Sequence, residues 1–91
     1  MKKSVKLKVT GSLQNQFFNE FVKENAVNRN VRGFVRKLEN GRVEIFLEGD
    51  GEKVDEMVSI CSIGPKYAQI RSIEQSEERF QDFKEFKILS I

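Results

Sequence analysis

The chain has 91 residues, of which 38% are apolar and 33% charged, with 16 basic against 14 acidic side chains and a formal charge of +2. That length holds one domain around a single core and excludes two, while eight phenylalanines give the core enough bulk to argue against disorder. So even a charge balance does not advertise a nucleic-acid or membrane partner, and the absence of histidine removes catalytic triads, the usual near-neutral proton shuttle and most zinc sites. No metal or other cofactor is expected.

The N-terminal segment MKKSVKLKVTG is charged but has no apolar run behind it, and nowhere does the chain reach the roughly 18 apolar residues that would span a bilayer. A cytoplasmic monomer without a membrane partner is the expectation. From Ser4 to Thr10, Val5, Leu7 and Val9 alternate with Lys6, Lys8 and Thr10, the period of a strand with one buried and one wet face. Lys2, Lys3, Lys6 and Lys8 read as a solvated basic edge that discourages strand-to-strand aggregation. Gly11 to Gln16 breaks the alternation, after which Phe18, Phe21, Val22 and Asn25 or Ala26 recur at helical spacing for about three turns. Phe17, Phe18 and Phe21 are read as core that packs this helix on a sheet.

Asn28, Arg29 and Asn30 end the helix, and Val31 starts a second strand that leads into the hairpin from Gly33 to Gly49. One arm carries Phe34, Val35 and Leu38, the other Val43, Ile45 and Leu47, and Glu39-Asn40-Gly41 supplies a turn that tolerates positive φ. Both arms are expected to be central strands. Asp50, between Gly49 and Gly51, is placed to cap a second helix whose stripe is Val54, Met57, Val58 and Cys61, and Gly64-Pro65 stops it. Cys61 is the only cysteine, so no internal disulfide forms and a reducing compartment is its natural home; on that stripe it reads as a small buried filler. Tyr67 to Glu74 reads as an edge-like strand with no clean apolar face, Glu77 to Lys84 as a charged loop or distorted turn, and Phe86, Ile88 and Ser90 as a closing strand. Glu74, Glu77 and Glu78 belong to a charged loop rather than to a carboxylate pair.

The order strand, helix, strand, strand, helix, strand, with a last strand added, predicts a single α+β domain over 1–91 on the ferredoxin-like (split βαβ) plan, an antiparallel sheet with two helices on one face. That plan alone says nothing of function. Gly33, Phe34, Val35, Arg36, Gly41, Val43 and Gly49 fall in register with a signature of the acylphosphatase family, and Val9, Gly11, Gln14 and Phe18, with Leu13 as a near match, fall in register with another. The Ile63-Gly64-Pro65 step is similar to the family's glycine-proline step after its second helix. The chain thus resembles acylphosphatases over nearly its whole length.

The resemblance implies a phosphate held by the loop between the first strand and first helix, here Gln14, Asn15, Gln16, Phe17 and Phe18. Backbone amides at a helix N-terminus make such an anion cradle whatever the side chains are. The resemblance also implies two catalytic positions, an arginine that grips phosphate and an asparagine that orients the attacking water. Asn19 and Lys37 stand at them. Asn19 has neither the charge nor the fork of arginine, and Lys37 can donate but cannot accept a hydrogen bond. The expected function is therefore an acylphosphatase-like protein with a small anionic ligand, a retained cradle, and weak or no hydrolysis of acyl phosphates. The alternative is an active acylphosphatase that cleaves small acyl phosphates to a carboxylate and phosphate, with Lys37 or Arg36 supplying charge. A third reading, a nucleic-acid module, rests on Arg32-Gly33-Phe34, which opens like the signature of an RNA-recognition motif and diverges at Val35.

Overall fold

A computed structural model describes residues 1–89; Ser90, counted above in the closing strand, lies outside the described residues. Five strands and two helices follow the expected order: β1 (Lys2–Ser12), α1 (Asn15–Asn28), β2 (Arg32–Lys37), β3 (Val43–Asp50), α2 (Gly51–Ile63), β4 (Gln69–Glu77) and β5 (Phe86–Leu89). They form one sheet in the order β4-β1-β3-β2-β5. β1 runs antiparallel to both β3 and β4, and β3 antiparallel to β2, so the two hairpin arms are interior strands. β5 joins β2 in parallel, with Gly33 opposite Phe86, and makes the sheet mixed.

Alternation settles which face meets the helices. Val5, Leu7 and Val9 of β1, Val35 of β2 and Val43, Ile45 and Leu47 of β3 are fully buried and form one core with Phe18, Val22 and Ala26 of α1 and Val54, Met57 and Cys61 of α2. Burial pushes the Cys61 thiol up to about 12, which makes it an inert filler. The hairpin turn is a short 3-10 segment, Glu39–Gly41, with Asn40 at φ 62 and Gly41 at φ 72. Leu38 falls outside β2 and closes the loop by donating its amide to the Arg42 carbonyl, 2.7 Å away.

Three local expectations are overturned. β1 is an interior strand rather than an edge, and its lysines meet carboxylates instead of only water: Lys3 binds Asp55 of α2 at 2.7 Å, while Lys6 lies 3.9 Å from Glu44 and 4.0 Å from Glu78. The edge is β4, which returns to pair with β1 after α2. Asp50 occupies the N-cap of α2, but its side chain makes no capping hydrogen bond and instead lies 3.9 Å from the N-terminal ammonium. Phe17 is not core: it is 59% exposed and meets Tyr67 edge-to-face, whereas Phe18 is fully buried and Phe21 partly so.

The face away from the helices is not bare. Phe34 of β2 stacks on Phe46 of β3, and Phe83, from the segment between β4 and β5, packs edge-on against both. From Glu78 onward that segment is a loop, consistent with the first of the two readings of its charged sequence, whereas Glu74 and Glu77, expected in the loop, are drawn into β4 by pairing with Lys8 and Val5; Glu48 of β3 ties the loop down. Glu48 is 1% exposed. Its Oε1 accepts from Ser4 Oγ at 3.1 Å and the Gln81 amide at 2.6 Å, and its Oε2 accepts from the Phe83 amide at 2.6 Å.

Candidate active site

The candidate site lies where β1 ends and α1 begins. β1 leaves the sheet at Ser12, opposite Gln69 of β4, after a register shift between Thr10 and Gly11. Leu13 then plunges into the core with 2% exposure, and Gln14 turns the chain with a left-handed backbone at φ 51 and ψ 66. The left-handed position is thus Gln14, one residue before Asn15, which is the first residue of α1. Asparagine is the non-glycine residue that best tolerates left-handed geometry, yet it is Gln14 that adopts it here and Asn15 that opens the helix.

The Gln14 carbonyl accepts from the amides of Phe17 at 2.9 Å and Phe18 at 3.2 Å, so those two amides are spent on the first helical turn. Among the described residues the amides of Leu13, Gln14 and Gln16 have no backbone acceptor. They precede or open a 14-residue helix whose first turn holds no acidic residue, so no carboxylate there competes with an incoming anion. Amides left open at the positive end of a helix can cradle a phosphate-sized anion without any charged side chain.

Asn19 sits one turn into α1 beside Phe18 and is buried, with 9% exposure. Its Oδ1 is buried without a hydrogen-bond partner. A buried acceptor left unpaired costs about 1–3 kcal/mol, so this amide is poised to take a donor if one enters. A neutral polar residue one position off the Phe18, Val22 and Ala26 stripe is expected at the wet rim of the helix, and its burial corrects that expectation. Lys37 is exposed at the last position of β2, paired in register with Val43, which is itself opposite Val9 near the end of β1. Gln14, Lys37 and the start of α1 therefore share one end of the sheet. Arg36, the other cation considered for the chemistry, is on the aromatic face and is engaged by Glu44 at 2.6 Å.

Sequence reasoning did not single out Tyr67. It lies in the turn before β4, and its contact with Phe17, 5.9 Å between ring centroids, places an exposed aromatic pair beside the loop. The Gly64-Pro65 step was the available signal, since it forces a turn that returns the chain to β1 at Ser12 and Gly11.

Comparison with known proteins agrees with this fold. The sequence model described as Acylphosphatase matches residues 5–88. The chain is 41% identical over 76 residues to an acylphosphatase of Rubrobacter xylanophilus, covering 84% of this chain and 69% of that relative. It is 36% identical over 90 residues to an acylphosphatase of Syntrophus aciditrophicus, covering 98% and 94% respectively. Among solved structures, acylphosphatase from Bacillus subtilis superposes with a TM-score of 0.89 at 28% identity, covering 98% of this chain and 99% of that one. The two glycine-anchored signatures, the sheet order and these relatives converge on one assignment: the chain belongs to the acylphosphatase family.

Proposed function

We propose that this acylphosphatase-family domain binds a small phosphate-bearing anion at the Leu13–Gln16 loop and hydrolyses acyl phosphates weakly or not at all. The observation that carries the reading is Asn19: a neutral, buried side chain with an unpaired Oδ1 stands where the family resemblance puts the arginine that grips the phosphate. Charge from an exposed Lys37 cannot substitute well. A flexible ammonium is a point charge, whereas a guanidinium fork fixes the phosphate and offsets its developing charge in the transition state. Nor can an ammonium accept a hydrogen bond from the attacking water, as an amide oxygen does. Loss of one such group typically lowers turnover on the order of 10²- to 10³-fold, and loss of both leaves little. The open amides favour retention of anion binding.

A second reading, an active acylphosphatase, is favoured by the identity to proteins bearing that name. Acetyl phosphate separates the two. The first reading expects turnover close to the spontaneous rate and chemical-shift changes at Leu13, Gln14 and Gln16 on titration with inorganic phosphate; turnover far above that rate would sink it. The combined change Asn19→Arg and Lys37→Asn is expected to raise hydrolysis sharply, with each single change giving much less, because grip and water placement act as a unit. A folded double variant as inactive as the parent, with phosphate still bound, would show that Asn19 and Lys37 are not the positions that matter. Burial of Asn19 makes a fold check by amide spectrum part of that test.

A further inference from the structure

A cavity lies at the end of the sheet opposite the candidate active site. It has a volume of about 370 Å³, within the range of small-ligand pockets, and Lys2, Arg29, Arg32 and Lys53 line it together with Glu48, Asp50 and Phe80. β1 runs 11 residues from this end to the loop before α1, which at strand rise separates the two sites by about 30 Å. No side chain can serve both.

The cations here outnumber the carboxylates able to neutralise them. Arg29 and Lys53 share one partner, Glu56, at 3.3 Å and 3.6 Å. Arg32 uses one guanidinium nitrogen on a neutral group, the Phe83 carbonyl at 3.3 Å, and Lys2 sits 5.0 Å from the centre of the Phe80 ring. Among the described residues no carboxylate lies within ion-pair distance of Lys2 or Arg32. The wall also holds two carboxylates: Glu48 keeps its charge but has both oxygens taken by the neutral donors Ser4, Gln81 and Phe83, and Asp50 lies 3.9 Å from the N-terminal ammonium, so four cations face two acids. Asp82, the remaining nearby carboxylate, is held below its usual range chiefly by its hydrogen bond from Lys84, with Lys2 and Arg32 as minor influences.

We propose that this cavity is a second anion site, distinct from the loop at α1, that takes a diphosphate group. Cations converging at a concave surface suit a compact polyanion better than a monoanion: Arg32 offers the guanidinium nitrogens that Phe83 leaves free to one phosphoryl group, while Lys2 and Lys53 act as point charges on the other. The floor is rigid, because Glu48 fixes both the sheet and the segment that carries Phe80. A ligand bridging Arg32, Lys53 and Lys2 would pin that segment against the sheet and α2.

The diphosphate can belong to free pyrophosphate or to a nucleoside diphosphate, and titrations of the whole chain with pyrophosphate, ADP and adenosine distinguish them. Pyrophosphate is expected to shift the amides of Asn30, Arg32, Gly49, Asp50 and Lys53. ADP should do the same if the attached nucleoside is tolerated, and adenosine should not. The double variant Lys2→Gln, Arg32→Gln should bind pyrophosphate at least about tenfold more weakly, since charge-assisted contacts are lost, while Lys87→Gln, on β5 and outside the cavity wall, leaves affinity unchanged. Binding by ADP without pyrophosphate, affinity unmoved by the double variant, or shifts confined to Leu13–Gln16 would each overturn the second site. The last outcome would leave the loop reading standing, and shifts confined to this cavity would do the reverse.

Discussion

Gly33 stands where a side chain has no room. Its φ is 139°, and a Cβ built there collides with the backbone carbonyl of Phe46 on the neighbouring strand. β2 can therefore lie flush on β3 only with glycine at this position, which gives the first glycine of the hairpin signature a purely steric reason. Gly33→Ala is expected to cost about 3 kcal/mol or more, read as a lower denaturant midpoint with an unchanged slope; a loss within about 0.5 kcal/mol would mean that the strands slide apart freely. At this scale the sequence was uneven. The glycines, the Asn40-Gly41 turn and the apolar stripes were legible because backbone sterics and periodicity are local. The burial of Asn19 was not, since it lies one position off the Phe18, Val22, Ala26 stripe and only packing around α1 decides whether that flank is wet. The exposure of Phe17 escaped for the same reason.

Glu48 shows why loops are harder to read than elements. By strand alternation it points away from the helices, and from sequence such a glutamate belongs to solvent. Its partners are 33 and 35 residues away, in a segment whose own sequence, Glu77 to Lys84, carries no periodicity. Folding that segment over the outer face satisfies three donors with one carboxylate and covers the Phe34 and Phe46 stack with Phe83. The same covering leaves Phe46 only 4% exposed, so that ring offers no platform for a base. Replacing one oxygen by an amide sets donor against donor. Glu48→Gln is expected to destabilise by about 1–3 kcal/mol and to speed hydrogen exchange at Gln81 and Phe83 well beyond that of β3. If those two amides stay as protected as in the parent, the loop is held by its phenylalanines and the carboxylate is incidental.

The whole sheet follows from how the last two strands are placed, the feature least accessible to local reading. The hairpin of β2 and β3 and the period of β1 could be read in order, but nothing local says that β4 pairs outside β1 or that β5 pairs in parallel outside β2. Both are long-range choices made by the core, which recruits Phe86 and Ile88 on one side and Ile70 and Ile73 on the other. They turn β1 into an interior strand and leave β4 as a nine-residue edge with only β1 beside it. Exchange kinetics should map this directly. In β1, amides from Val5 to Val9 are bonded to one neighbour or the other, so all should be slow. In β4 every second amide points away from β1, so Gln69–Glu77 should alternate between slow and fast. Lowering protein concentration should leave the alternation intact in a monomer. Uniformly slow exchange along β4 that turns into alternation on dilution would mean instead that a second copy adds a strand there, and that the free edge exists only in the separated chain.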